Sequence, residues 1–215
     1  MLKLDRLSVH YPGAEEPVLK ELSLELAKGE IAVLRAPSGS GKTTLLNAIA
    51  GIIGEHIKAG LEGRISLDNV DIGSFALCDR LQFLSYQMAE SGFFFPNLEY
   101  ELAFAPENLG IDPTAIEERI SLALKRFELE TLRYDDAAKL SFGQQKRLAW
   151  AICDVINAPL ILLDEPSKGM SGQSLKLLKT WLLDKSNEGR IILMAEHGDA
   201  LLDLPVRLIR LGDQA

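Results

Sequence analysis

The sequence predicts an α/β fold: a parallel core sheet with helices on both faces, an antiparallel β edge subdomain beside it, and a helical subdomain. Three observations predict this. The runs at 31–34, 160–163 and 191–194 are continuously apolar, as expected for parallel strands covered on both sides. Leu22-Ser23-Leu24-Glu25-Leu26 and Ile65-Ser66-Leu67 alternate apolar and polar residues, as half-buried antiparallel strands do. Between the apolar runs lie stretches of helical periodicity, the order βαβ that builds a parallel sheet.

In chain order, the strand at 31–34 leads through a Gly/Ser-rich turn into a helix marked by Leu45, Leu46 and Ile49. Asp112-Pro113 supplies a cap and a proline at the first helical position, after which Ile116, Ile120, Ala123, Leu124 and Phe127 line one face. A further helix groups Leu148, Ile152 and Val155, and another carries Leu175, Leu178 and Leu182 and ends near Gly189. No internal repeat or long linker divides the sequence, so residues 1–215 read as a single domain with a helical subdomain at about 88–157.

Composition narrows the function classes. At 215 residues and 47% hydrophobic content the chain can bury a sizeable core, and its apolar runs fall far short of the roughly 20 residues that span a bilayer. Direct membrane insertion is therefore not expected. The first six residues contain Asp5 and Arg6 and resemble neither a secretory leader nor a presequence, which points to the cytoplasm. Two distant cysteines, Cys78 and Cys153, suit a reducing compartment. A formal charge of −8 argues against nucleic acid as a partner.

The sharpest local signal is Ala36-Pro37-Ser38-Gly39-Ser40-Gly41-Lys42-Thr43-Thr44 between strand and helix, a P-loop with alanine in its first glycine position. Glycines at 39 and 41 let backbone N–H groups turn inward, and the helix N-terminus adds partial positive charge. Ser38 to Thr44 are the expected phosphate-binding residues, with Lys42 reaching the outer phosphates and Thr43 holding Mg²⁺. This places the chain in the P-loop NTPase fold and makes ATP and Mg²⁺ the expected cofactors.

Leu140-Ser141-Phe142-Gly143-Gln144 resembles the signature loop of the ABC ATPases, and Leu160-Ile161-Leu162-Leu163-Asp164-Glu165-Pro166 resembles their Walker B strand. The resemblance runs from Tyr11 to His197, with residues 1–10 and 200–215 completing the sheets. It implies an ATPase in which Asp164 and Gln87 hold Mg²⁺, Glu165 polarises the attacking water, and Gln87 and His197 contribute to catalysis. Tyr11 matches the aromatic that stacks on adenine. Ser141, Gly143 and Gln144 would close over nucleotide held by a second ABC ATPase chain, either an identical copy or a paralogue. Phe142 stands where glycine is commonest, and Ser171 where the family usually has aspartate.

The resemblance also implies a transmembrane permease partner and a place on the cytoplasmic face of the cell membrane. Phe93, Phe94 and Phe95 offer an apolar anchor for it, with internal packing in the helical subdomain as the alternative. Pro106-Glu107-Asn108-Leu109-Gly110 is similar to a segment of energy-coupling-factor and cobalt-type importer ATPases, which points to import of a vitamin or metal ion. An exporter or lipoprotein-release ATPase, or a non-hydrolysing partner subunit, stays open at this point.

Overall fold

A computed structural model describes residues 1–90 and 92–211; Ser91 and residues 212–215 lie outside the described residues. Two sheets organise it. One is antiparallel, in the order β2-β1-β4-β5, from β1 (Leu2–His10), β2 (Leu19–Leu26), β4 (Gly60–Leu67) and β5 (Val70–Asp71). The other is parallel, in the order β6-β7-β8-β3-β9, from β3 (Ile31–Arg35), β6 (Leu84–Gln87), β7 (Leu160–Asp164), β8 (Ile191–Ala195) and β9 (Val206–Arg210). The alternating segments thus fall in the first sheet and the continuous apolar runs in the second, as the sequence predicts. Strands β1 and β9 complete the two sheets.

The runs 31–34, 160–163 and 191–194 of β3, β7 and β8 are continuously apolar because their alternate residues enter different cores. Ile31, Val33, Ile161, Leu163, Ile192 and Met194 face a cluster built with the helices α3 (Leu98–Asn108), α4 (Pro113–Arg126), α5 (Phe142–Ile156) and α6 (Gly172–Asn187). Ala32, Leu34, Leu160, Leu162, Ile191, Leu193 and Ala195 face a second cluster, shared with α1 (Lys42–Ala50) and the antiparallel sheet. A short kinked helix, α2 (Ile52–Glu55), follows α1. Strand β1 shows simple alternation only in halves: a bulge around Arg6, at φ 47°, switches the buried set from Leu2 and Leu4 to Leu7 and Val9.

Helix α4 starts where the sequence places it, with the Asp112 carboxylate accepting the Thr114 N–H at 2.9 Å. Its inward face packs Phe127 against Trp150 and Trp181, with ring centroids 6.1 and 5.7 Å apart. Pro106 lies inside α3, so the 106–110 stretch is the end of a helix and the turn that follows it. The helices are also joined by charge. Asp154 of α5 is bonded to Arg126 of α4 at 2.9 Å, to Lys185 of α6 at 2.8 Å, and to the Trp181 indole N–H at 3.1 Å. Lys185 is 5% exposed and is also paired with Glu188 at 2.9 Å. Replacing Asp154 by Ala is expected to cost about 3–5 kcal/mol in urea unfolding by removing the buried carboxylate shared by Arg126, Lys185 and Trp181, and Asp154→Asn, which keeps an acceptor for Trp181, to cost less.

Candidate active site

All the strands of the second sheet run the same way, so β3, β6, β7 and β8 end along one edge, where open α/β sheets place their ligands. A cleft of about 300 Å³ opens there, lined by Ser38, Gly39, Gly41, Lys42, Thr43, Thr44, Asp164, Glu165 and His197. Residues spread over some 160 positions of sequence are thereby brought to one site.

The loop after β3 is shaped by two glycines with positive φ, Gly39 at 78° and Gly41 at 92°. Gly41 also has no room for a side chain, since a Cβ would meet Val18 Cγ1 at 2.8 Å. Gly41 caps α1 and no side chain bonds the first turn of that helix, which leaves its N–H groups facing the cleft. The Ser40 hydroxyl is buried without a hydrogen-bond partner. Lys42 folds back so that its ammonium donates to the carbonyls of Ala36 at 2.6 Å and Pro37 at 3.1 Å. Burial lowers its pKa, opposed by the nearby Glu165 and Asp164.

Three oxygens define a place for a hard cation. Thr43 Oγ1 donates to Asp164 Oδ2 at 2.8 Å, and the Gln87 amide donates through Nε2 to the Asp164 carbonyl at 3.2 Å. Gln87 is 2% exposed and its Oε1 is buried with no partner. A hydroxyl, a carboxylate and an unpartnered amide oxygen fit Mg²⁺, which binds few protein ligands and completes its shell with water and phosphate. Burial raises the Asp164 pKa, against the Thr43 hydrogen bond, which lowers it.

Glu165, next to Asp164, adopts a left-handed backbone with φ 49°. Its N–H donates to the Ala195 carbonyl at 2.9 Å, which helps hold that conformation. Its side chain is held from both sides: Oε1 lies 3.3 Å from His197 Nε2, and Oε2 pairs with Lys168 Nζ at 2.5 Å. The Lys168 hydrogen bond lowers the Glu165 pKa. Tyr11 stands at the cleft margin with its hydroxyl 3.2 Å from Thr44 Oγ1.

Ser141, Gly143 and Gln144 do not join this cleft. They form the first turn of α5, where Ser141 Oγ accepts the Gln144 N–H at 3.4 Å and Gln144 Oε1 accepts the Ser141 N–H at 2.8 Å. The Gln144 side chain is therefore part of a capping box. Phe142 is accommodated by Gly169, where an added Cβ would sit 2.9 Å from the Phe142 ring. Ser171 occupies the N-cap position of α6 and makes no side-chain cap bond. Of the three consecutive phenylalanines, Phe93 packs against the helical core, Phe94 is 87% exposed, and Phe95 contacts Phe104 with centroids 5.0 Å apart. The aromatic anchor expected from sequence is thus divided between interior and surface.

A family profile described as ABC transporter matches residues 19–168. The chain belongs to the ABC transporter family. A Treponema denticola protein assigned the name ABC transporter ATP-binding protein is 30% identical over 199 residues, covering 92% of this chain and 40% of its own length. A Pyrococcus furiosus protein assigned the same kind of name is 30% identical, covering 92% of this chain and 75% of its own. The chain thus spans well under two thirds of some relatives it matches. Among solved structures, a dimeric ATP-binding cassette in a post-hydrolysis state bound to ADP and Pi is 25% identical, with TM-score 0.83 over 99% of this chain and 95% of that one. The Clostridium perfringens cbiO1, part of the ABC transporter complex cbiONQ, is 26% identical, with TM-score 0.77 over 98% of this chain and 84% of that one.

Within this ABC cassette two further buried charges touch the site. Lys146 of α5, 5% exposed, donates to the Ala89 carbonyl at 3.1 Å and to the Glu165 carbonyl at 3.4 Å, tying together the turns after β6 and β7. Neither contact is evident from motif reading, although helical spacing from Phe142 to Ala149 and Trp150 sets Lys146 on the inward face. Glu196, 4% exposed, accepts the Ser167 N–H at 2.8 Å and fixes the turn that follows Glu165. Burial raises its pKa above the ordinary carboxyl value of 4.5, so its contribution to stability is complete at acid pH and is lost as pH rises through the folded value. Glu196→Gln keeps the acceptor without the charge. Its unfolding free energy is expected to fall less than that of the wild type as pH rises above 4.5, whereas Glu196→Ala, leaving the Ser167 N–H unpaired, loses about 1–3 kcal/mol throughout.

Proposed function

We propose that this chain is the ATP-binding and ATP-hydrolysing subunit of an ABC transporter, working as one half of a nucleotide-sandwich dimer on the cytoplasmic side of a membrane. The observation that carries the reading is the convergence of the uncapped α1 N-terminus, the Thr43–Asp164 pair and Glu165 on a single cleft. Phosphates would lie on the N–H groups of the loop and of α1, with Lys42 leaving the Ala36 and Pro37 carbonyls to meet the outer phosphates. Thr43, Asp164 and Gln87 would hold Mg²⁺, which supplies charge neutralisation on the phosphate oxygens. Glu165 would orient and polarise the attacking water, and its neighbour His197 would contact the outermost phosphate. Tyr11, at the cleft margin, would stack on adenine.

The first turn of α5 is not part of the lining of its own cleft, which supports its use in trans. Ser141 and Gly143 at a helix N-terminus form a second anion-binding surface for nucleotide held by the facing subunit. The dimeric state of the solved cassette described above supports the same arrangement. Exposed Phe94, Tyr100 and Phe104 would receive a permease subunit, for among the described residues no helix is long and apolar enough to cross a membrane. Import of a vitamin or metal ion is the transport class we favour, on the Pro106-to-Gly110 resemblance and the likeness to cbiO1. The intact Glu165 and His197 favour hydrolysis over a silent partner role.

Two measurements test this. Steady-state ATP hydrolysis with Mg²⁺ is expected to rise more steeply than linearly with protein concentration. Glu165→Gln should abolish turnover while accumulating an ATP-bound dimer in size-exclusion chromatography; ATP binding without turnover or dimer at high concentration would defeat the self-pairing reading. In equilibrium binding, Mg²⁺ should tighten ATP affinity for the wild type, and Asp164→Asn should lose about tenfold of that enhancement while keeping metal-free binding.

A further inference from the structure

The loop after β8 carries His197, and one side chain on a different strand bonds three of its residues. Arg35 is the last residue of β3, a strand otherwise composed of Ile31, Ala32, Val33 and Leu34. Its guanidinium donates through Nη1 to the Gly198 carbonyl at 2.5 Å and the His197 carbonyl at 3.3 Å, and through Nη2 to Asp199 Oδ1 at 2.5 Å. Three successive residues of the loop are thus held by one planar group, and that group is rooted immediately before the phosphate-binding loop.

We propose that Arg35 is a positioning residue for His197: it clamps the loop 197–199 to the mouth of the P-loop and so sets the imidazole beside Glu165 and the outer-phosphate position. The inference rests on the hydrolytic reading above and extends it to a residue outside the motifs. His197 needs such a clamp. Its side chain is 43% exposed, it precedes a glycine, and its distance of 3.3 Å to Glu165 is set by the loop backbone. The ionic part of the clamp is modest, because the Asp199 side chain is 77% exposed and water screens it. The geometric part is larger. A guanidinium presents a fixed fork that satisfies two carbonyls and a carboxylate together, whereas an ammonium offers a point charge on a flexible stem. Anchoring the clamp on β3 also means that any movement of the P-loop base is transmitted to the histidine loop through three hydrogen bonds.

The test compares the wild type with Arg35→Ala, Arg35→Lys, Asp199→Ala, His197→Ala and the Arg35→Ala/His197→Ala double variant. Arg35→Ala is expected to lower kcat about tenfold with KM for ATP within about twofold of the wild type, since the P-loop contacts remain. Arg35→Lys should recover only a small part of the loss, and Asp199→Ala should show a smaller loss in the same direction. The double variant should be no slower than His197→Ala alone, because the clamp acts through the histidine. A rise in KM at unchanged kcat, or independent losses in the double variant, would overturn the proposal in favour of a direct role in nucleotide binding or of general destabilisation. A spectroscopic arm decides the clamp without turnover. The sequence has three histidines, His10, His56 and His197, and in nucleotide-free protein only the imidazole signals of His197 should shift in Arg35→Ala and Asp199→Ala. Unchanged His197 signals in both variants would sink the clamp. Shifted His197 signals in the variants, beside a wild type that does not hydrolyse ATP, would keep the clamp and defeat the hydrolytic reading instead.

Discussion

The structure depends on leaving the N-terminus of α1 without a cap. A helix start with free N–H groups is unfavourable unless water or a ligand satisfies them, and most helices bring a serine, threonine or aspartate to do so. Here Gly41 occupies that position and the strand before it is buried on both faces, so the unsatisfied donors are presented at the edge of a rigid sheet. Water or an anion can satisfy those donors. Around those donors stand Lys42 folded back on carbonyls, Thr43 resting on Asp164, and Gln87 with one oxygen unpaired.

That arrangement concentrates charge in a poorly solvated place, and the charges hold one another. Lys42 and Lys146 are both destabilised as cations by burial and both lean on Asp164 and Glu165. Asp164 is destabilised as an anion by burial and is relieved chiefly by Thr43. Removing any one member therefore shifts the others, because an unpaired charge in such a site costs more than a pair contributes. The left-handed Glu165 is held in the same way: its own N–H bonds Ala195 of β8, its carbonyl accepts from Lys146 of α5, and the Glu196–Ser167 bond fixes the turn that follows. The left-handed backbone of Glu165 is thus supported from β8 and α5 together.

The helical region connects to the cleft through the same contacts. Helix α5 begins with the capping box of Ser141 and Gln144, reaches the Walker B turn through Lys146, and is pinned to α4 and α6 by Asp154. A displacement of its first turn would pass to the turns after β6 and β7 at once. Rigid elements that share such junctions move as units, which is how a small change at a phosphate becomes a change in the position of a distant surface.

Much of this was legible in the sequence. The two sheets could be told apart because parallel strands are buried on both faces and antiparallel ones on a single face, so 31–34, 160–163 and 191–194 read differently from 22–26 and 65–67. The P-loop stands out in the sequence because phosphate chemistry uses particular residue types at short spacings, whereas Asp164-Glu165, Gln87, His197 and the Ser141 loop stand out by their resemblance to the ABC ATPases, and the roles of all of them are proposals. What the sequence could not carry was contact between distant segments. The reach of Arg35 to 197–199, of Lys146 to Ala89 and Glu165, and of Glu196 to Ser167 appears only once the strand order β6-β7-β8-β3-β9 sets their ends side by side. The division of Phe93, Phe94 and Phe95 between core and surface likewise depended on how α3 packs. Residue type and spacing determined the chemistry of this protein; which side chains hold that chemistry in place was decided by the tertiary structure, because hydrogen bonds and buried charges are satisfied by neighbours in space.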